Sequence, residues 1–164
     1  MEIERKFWLD RFPEGLPLVR RLQTWQGYLY TDPAEVRIRR SREEDTGREY
    51  YRLCIKSQGD LSRHEVETEI TKEQFEELCL LLEPGRELIH KDYRAYQLEN
   101  DLILECSVVD GGAFSYAEVE FDREGAANAW QPVDCLGRET TYESGFKMKH
   151  YWHTKTIKGD EGHS

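Results

Sequence analysis

Four separated stretches of this chain carry charged side chains two residues apart, and that spacing constrains the fold more than any other feature of the sequence. Glu2, Glu4 and Lys6 alternate with Ile3, Arg5 and Phe7. Arg37 and Arg39 flank Ile38, Glu65, Glu67 and Glu69 follow Arg63 at even spacing, and Glu118 and Glu120 flank Val119. Strand side chains point alternately to opposite faces, so each stretch predicts a strand with one charged face. A single charged face is ordinarily turned to water. Repeated in strands spread along the chain, it predicts a sheet closed on itself, with the charged faces lining a common interior. Such an interior cannot be dry. Charges removed from water must be paired or must coordinate ions, which asks for metal ions and a polyanionic guest.

The intervening sequence reads as a run of hairpins. Two prolines and a glycine make Asp10 to Pro17 a loop. Gln23 to Tyr30 is aromatic-rich and suits a strand, with Gly27 marking a bulge or a close backbone approach. Strands follow over Glu35 to Arg42, Arg48 to Ser57 and Leu61 to Ile70, joined by the turn-forming Asp45-Thr46-Gly47 and Gln58-Gly59-Asp60. Thr71 is an N-cap with Gln74 as its capping-box partner. It opens a helix whose stripe Phe75, Leu78, Cys79 and Leu82 is core packing, with Pro84-Gly85 as the stop. A second hairpin spans Glu87 to Leu98 and Leu102 to Val109. Then come a strand over Tyr116 to Asp122, a short helix over Glu124 to Trp130, an ambiguous segment from Thr140 to His153, and a polar frayed tail over 157–164.

Length and charge narrow the classes further. The 164 residues make one domain. With 33 acidic against 23 basic residues the net charge is -10, which repels nucleic acid and anionic membranes at long range. Neither is expected as a partner. Cys54, Cys79, Cys106 and Cys135 have no metal-ligand or redox spacing and read as reduced thiols of a cytoplasmic protein, a monomer or homodimer. No basic-then-apolar leader opens the sequence, and no apolar run approaches bilayer-spanning length.

Glu2-Ile3-Glu4-Arg5-Lys6-Phe7, the Arg37-Ile38-Arg39 triplet, Leu53-Cys54-Ile55-Lys56, Leu61-Ser62-Arg63 with Glu65 and Glu67, and Glu118-Val119-Glu120 together resemble the CYTH domain, or triphosphate tunnel metalloenzyme, from Met1 to about Lys149. The resemblance implies an α+β fold, an eight-stranded antiparallel β-barrel with a charged lumen and a few helices packed outside. The domain would occupy residues 1–156. It also implies a small triphosphate as substrate and magnesium or manganese as cofactor. Hydrolysis of inorganic tripolyphosphate is the expected reaction. Alternatives in the same family are an adenylyl cyclase or a thiamine triphosphatase, and a non-catalytic polyphosphate- or nucleotide-binding module is a third.

Carboxylates at two-residue spacing on neighbouring strands suit hard cations, and with the resemblance they make Glu2, Glu4, Glu118 and Glu120 the metal candidates. The bland alternative for them is a network of ion pairs to Lys6 and the arginines. Arg37 and Arg39 present forks matched to phosphate, and Lys6 and Lys56 supply point charges. The resemblance assigns these four to the triphosphate and extends the set to Arg63, Lys91 and Arg94. It also makes Tyr28 a proton acceptor working beside Lys56, a nearby ammonium being able to lower a phenol's pKa.

Four positions depart from the family pattern. Arg94 is shifted by one residue from its expected place after Lys91, so that it would face the other way unless a bulge intervenes. Ser107 stands where a carboxylate is common. Gly145 and Met148 stand where arginine and asparagine are common.

Overall fold

The computed structural model describes residues 1–157. Nine strand segments form one sheet: β1 (Glu2–Trp8), β2 (Leu18–Tyr30), β3 (Glu35–Glu43), β4 (Glu49–Lys56), β5 (Ser62–Arg63), β6 (Glu65–Glu69), β7 (Ile89–Gln97), β8 (Ile103–Val109) and β9 (Phe114–Glu120). Their order is β5-β1-β9-β8-β7-β2-β3-β4-β6, all antiparallel. Only His64 separates β5 from β6. Arg63 pairs with Glu2 on one side and Glu65 pairs with Lys56 on the other, so one interrupted strand shuts the cylinder. The expected eight-stranded barrel is thus present, with its eighth strand divided in two.

The outward faces are covered by apolar side chains and short helices. Ile3, Leu104, Ala117, Val119 and Phe121 pack beneath α2 (Glu124–Ala129) and the loop carrying Phe12 and Leu16. A second cluster closes one end of the barrel instead: Trp8, Ile89, Phe114 and Tyr116 share the inward parity of Lys6, Lys91 and Glu118 and meet Phe146, Tyr151 and Trp152, contributed by a 3₁₀ turn (Ser144–Phe146) and α3 (Met148–Thr154). Gly27 is required there by space: a Cβ would stand 2.7 Å from the Leu82 side chain and 3.2 Å from Trp152. Close approach, not a bulge, explains this glycine. The register shift in β2 comes afterwards, between Tyr28 and Tyr30.

Several boundaries differ from the sequence expectation, and three of the differences bear on packing. β2 begins at Leu18, five residues before Gln23, because the sheet partner β7 extends far enough to pair with it. α1 (Lys72–Cys79) starts as expected, with the reciprocal Thr71–Gln74 capping box, but stops five residues before Pro84. Its last turn tightens into bonds from Leu80, Leu81 and Leu82 to carbonyls three residues back, which swings Leu82 towards Gly27 while Leu80 and Leu81 stay exposed. Ile157, assigned to a frayed tail, is buried in the Trp152 cluster; the rest of that tail, 158–164, lies outside the described residues. No described helix is long and apolar enough to cross a membrane.

Candidate active site

The even-spaced charges do face inward. They line a cavity of about 380 Å3 together with side chains of the same parity on every long strand. Nine carboxylates and nine lysines or arginines share this wall, so it is close to neutral and the chain's excess of acid lies elsewhere. Glu2, Glu4, Lys6, Tyr28, Arg37, Arg39, Lys56, Arg63, Lys91, Glu118 and Glu120 are all brought to it. Arg94 is not. The β7–β8 register runs unshifted from Lys91 to Gln97, and Arg94 therefore points outward, 3.8 Å over the Phe12 ring and 3.4 Å from Asp92. With no bulge to restore its direction, the triphosphate assignment of Arg94 is withdrawn and Tyr93 takes its place on the lumen wall.

The lumen charges fall into two kinds. On one side they neutralise each other. Lys56 Nζ donates to both Glu2 oxygens at 2.9 and 3.0 Å and lies 3.3 Å from Glu65. Arg63 reaches Glu35 at 2.7 Å and Glu2 at 3.6 Å, while Arg39 and Arg52 share Glu67 at 3.6 and 3.0 Å. In the other set, among the described residues, Glu4, Glu118 and Glu120 form no ion pair, and neither does Arg37, which sits on β3 between the paired Glu35 and Arg39. Lys6 donates to the Phe146 carbonyl at 3.1 Å and stands 4.4 Å over the Tyr116 ring. Lys91 donates to the Tyr116 hydroxyl at 2.5 Å.

Protonation follows from this division. Burial and the neighbouring Glu118 push Glu4 well above the usual carboxylate range. Burial opposes charge on Glu118 too, but a hydrogen bond from Glu4 and the fields of Lys6 and Lys91 hold it below that range. The two carboxyls sit on paired strands β1 and β9, where Glu4 opposes Glu120 and Lys6 opposes Glu118, and they behave as a pair sharing a proton. Burial, then Glu118, raise Glu105 to about 7, and it accepts from Tyr93 Oη at 2.7 Å. Burial drives Lys91 well below the ordinary lysine value, helped by Arg37.

Tyr28 occupies a different setting from the one expected. Burial pushes its phenol up to about 12 against the pull of Arg37, and Arg37, Glu35 and Arg63 act on it more strongly than Lys56, which is committed to Glu2 and Glu65. Tyr28 is therefore a neutral hydroxyl at physiological pH.

For a divalent cation, Glu4, Glu118 and Glu120 fit: they are hard oxygen donors on adjacent strands, in no contact ion pair among the described residues, two of them holding one proton between them. Glu2 differs because Lys56 and Arg63 already neutralise it. The described trio whose ligand atoms lie within 4.8 Å of one another is Cys54, Glu65 and Glu67. It is a poor cation site, since burial keeps the thiol protonated and Lys56, Arg39 and Arg52 occupy the carboxylates.

Sequence reasoning left out several wall residues. Glu35, Arg52 and Gln26 share strand parity with Arg37, Lys56 and Tyr28, and the same two-residue rule would have found them. Lys147 carries no such signal: it precedes α3 and enters the lumen from outside the sheet, pairing with Asp60 at 3.0 Å. Met148 and Ser107, two of the departures from the expected pattern, also line the lumen, and Gly145 is buried beside Phe146.

No protein-family model matches the chain. It is 36% identical over 152 residues to an inorganic triphosphatase of Nitrosomonas europaea, covering 90% of this chain and 94% of that protein. The chain belongs to the inorganic triphosphatase family. A crystal structure of an inorganic triphosphatase superposes with a TM-score of 0.61 at 32% identity, covering 93% of this chain and 94% of that one. A Hippeastrum protein, described as a candidate adenylyl cyclase with a dominant triphosphatase activity, shares the fold at TM-score 0.56 and 21% identity over 78% of this chain and 83% of its own.

Proposed function

We propose that this protein hydrolyses inorganic triphosphate to orthophosphate and pyrophosphate inside the barrel, with magnesium or manganese. The observation that carries the reading is the coexistence in one cavity of cations that form no contact ion pair among the described residues, Arg37, Lys6 and Lys91, and carboxylates that likewise form none, Glu4, Glu118 and Glu120. A lumen that gathers ionisable groups of both signs outside ion pairs is costly by itself, and a complex of a polyanion with a divalent cation supplies partners for both. The 36% identity to an inorganic triphosphatase supports the same substrate class.

In this reading Arg37 and Arg39 hold a phosphoryl group through their forks, and Lys6, Lys56, Arg63 and Lys91 fix the remaining phosphates. Glu4, Glu118 and Glu120 would hold the cation, Glu2 assisting once substrate competes for Lys56. The cation supplies Lewis-acid stabilisation of phosphoryl charge. Tyr28, being neutral, relays a proton by accepting from water on its oxygen and releasing its own. Lys56 stabilises charge at the departing phosphates. A preorganised array of fixed charges does most of the work.

Phosphate release from tripolyphosphate, ATP and thiamine triphosphate with magnesium or manganese tests this. Turnover of tripolyphosphate, abolished by chelation and by Glu118→Gln, is expected. Preference for an organic triphosphate would redirect the reading, and tight binding without product would make the protein a binding module.

A further inference from the structure

Tyr28, Arg37 and Thr140 each leave one buried polar atom of the lumen without a partner, and Gln26 leaves two. Gln26 is 0% exposed, it lies on the lumen-facing parity of β2, and neither its amide nitrogen nor its amide oxygen has a hydrogen-bond partner among the described residues. Turning the amide over would exchange the two atoms and leave both unmet. A primary amide buried with both ends unpaired is unfavourable, so a protein holding one in a cavity wall is complete only when a ligand meets it. Its surroundings say what that ligand is. In the ladders Gln26 sits directly opposite Arg39, two residues from Tyr28, which itself opposes Arg37, and the Tyr28 hydroxyl is unpartnered as well. On its other side Gln26 opposes Ile89, which brings no polar group.

A fully ionised phosphate chain offers acceptors only. It satisfies the amide nitrogen and leaves the amide oxygen unmet. The oxygen needs a donor; in the reading above the unpartnered Arg37 Nε turns to the phosphoryl group and the Tyr28 hydroxyl to the proton relay, and water is the donor that remains beside them. We infer that Gln26 positions the attacking water: its Nε2 donates to an oxygen of the phosphoryl group held by Arg37 and Arg39, and its Oε1 accepts from the water aligned on that phosphorus. This rests on the triphosphatase reading above. A glutamine that orients water against a phosphoryl group is a workable device because the side chain is neutral and serves donor and acceptor at once.

The step balances simply. The water oxygen forms a bond to the terminal phosphorus while the bond from that phosphorus to the bridging oxygen breaks, its electron pair leaving on pyrophosphate. One hydrogen of the water remains on orthophosphate and the other, relayed by Tyr28, ends on pyrophosphate. Gln26 exchanges no proton. It is a positioning residue.

The test compares wild type with Gln26→Leu and Gln26→Glu in steady-state tripolyphosphate hydrolysis across pH, alongside thermal unfolding of each protein. Gln26→Leu is expected to lower kcat by about 10- to 100-fold, the scale of a misplaced reactant, with KM within about twofold. It should not lower Tm, because it removes an unsatisfied buried amide. Gln26→Glu keeps an acceptor but regains the donor only when protonated, so its kcat should rise relative to wild type as pH falls. Retention of kcat in Gln26→Leu, a change confined to KM, or a loss of Tm parallel to the loss of activity would each overturn the assignment. Wild-type protein that released no phosphate from tripolyphosphate would overturn the reading beneath it and this inference together.

Discussion

Glu2 and Glu4 are two residues apart on one strand and face one lumen, yet they belong to different walls. Glu2 is held by Lys56 and Arg63, in a belt where Glu35, Glu65 and Glu67 likewise meet cations. Glu4 faces Glu118, and burial with that second carboxyl keeps it protonated far above its ordinary range. Charge in the first belt stabilises the barrel because each partner is already present. In the second it is held in place by the rest of the fold and answers to a ligand. One motif, read at uniform spacing, thus serves structure at one position and chemistry at the next.

Substitutions can separate the two walls. Glu4→Gln resembles the protonated carboxyl the fold already holds, so the metal-free protein should keep its midpoint in urea, while activity with magnesium falls about 10³-fold, or ~4 kcal/mol. A loss of stability comparable to that of Glu2→Gln would erase the distinction. Glu2→Gln leaves Lys56 buried with Glu65 as its remaining carboxylate. It should destabilise the metal-free protein by about 3 kcal/mol in urea titrations, the lower end of what breaking a buried pair costs.

The pH dependence of stability sharpens the division. Glu105, raised to about 7, favours the folded state in its protonated form. Its contribution is complete below the unfolded carboxylate value near 4.5 and is lost as pH rises through 7, amounting to about 3 kcal/mol at most. Metal-free protein should therefore weaken between pH 5 and 8, and Glu105→Gln should flatten that slope; a slope unchanged in the variant would place the titration elsewhere.

The smallest effect expected separates two arginines. Arg37→Lys, at a guanidinium that forms no ion pair among the described residues although it sits on β3 between the paired Glu35 and Arg39, should reduce kcat/KM for tripolyphosphate about 10-fold or more by removing a fork from the phosphate. Arg52→Lys, whose partner is Glu67, should change it by less than about threefold. Equal losses would mean that substrate draws on both walls alike.

Much of this was legible in the sequence because a strand's two-residue period converts spacing directly into direction. That rule placed Glu4, Arg37, Lys56 and Glu118 in one lumen and would have added Glu35, Arg52 and Gln26. It also warned about Arg94, whose odd offset from Lys91 sends it to the outer face. What spacing does not carry is which charges will neutralise each other, since the Lys56–Glu2 contact depends on closure between residues 54 positions apart. Nor does it reveal groups arriving from outside the sheet, such as Lys147, or the early end of α1, which is set by the space Gly27 leaves for Leu82.

The division of the eighth strand at His64 has a mechanical meaning. Only Ser62 and Arg63 ladder with β1, supported by one further bond from the Glu4 amide to the Leu61 carbonyl, whereas neighbouring strands elsewhere are laced along most of their length. A tube stapled by so short a stitch parts there first under thermal agitation, and amide hydrogens beside that seam should exchange soonest among those of the long strands. Arg63 sits on the stitch with its head in the lumen, so whatever fills the lumen and grips that guanidinium also fastens the wall.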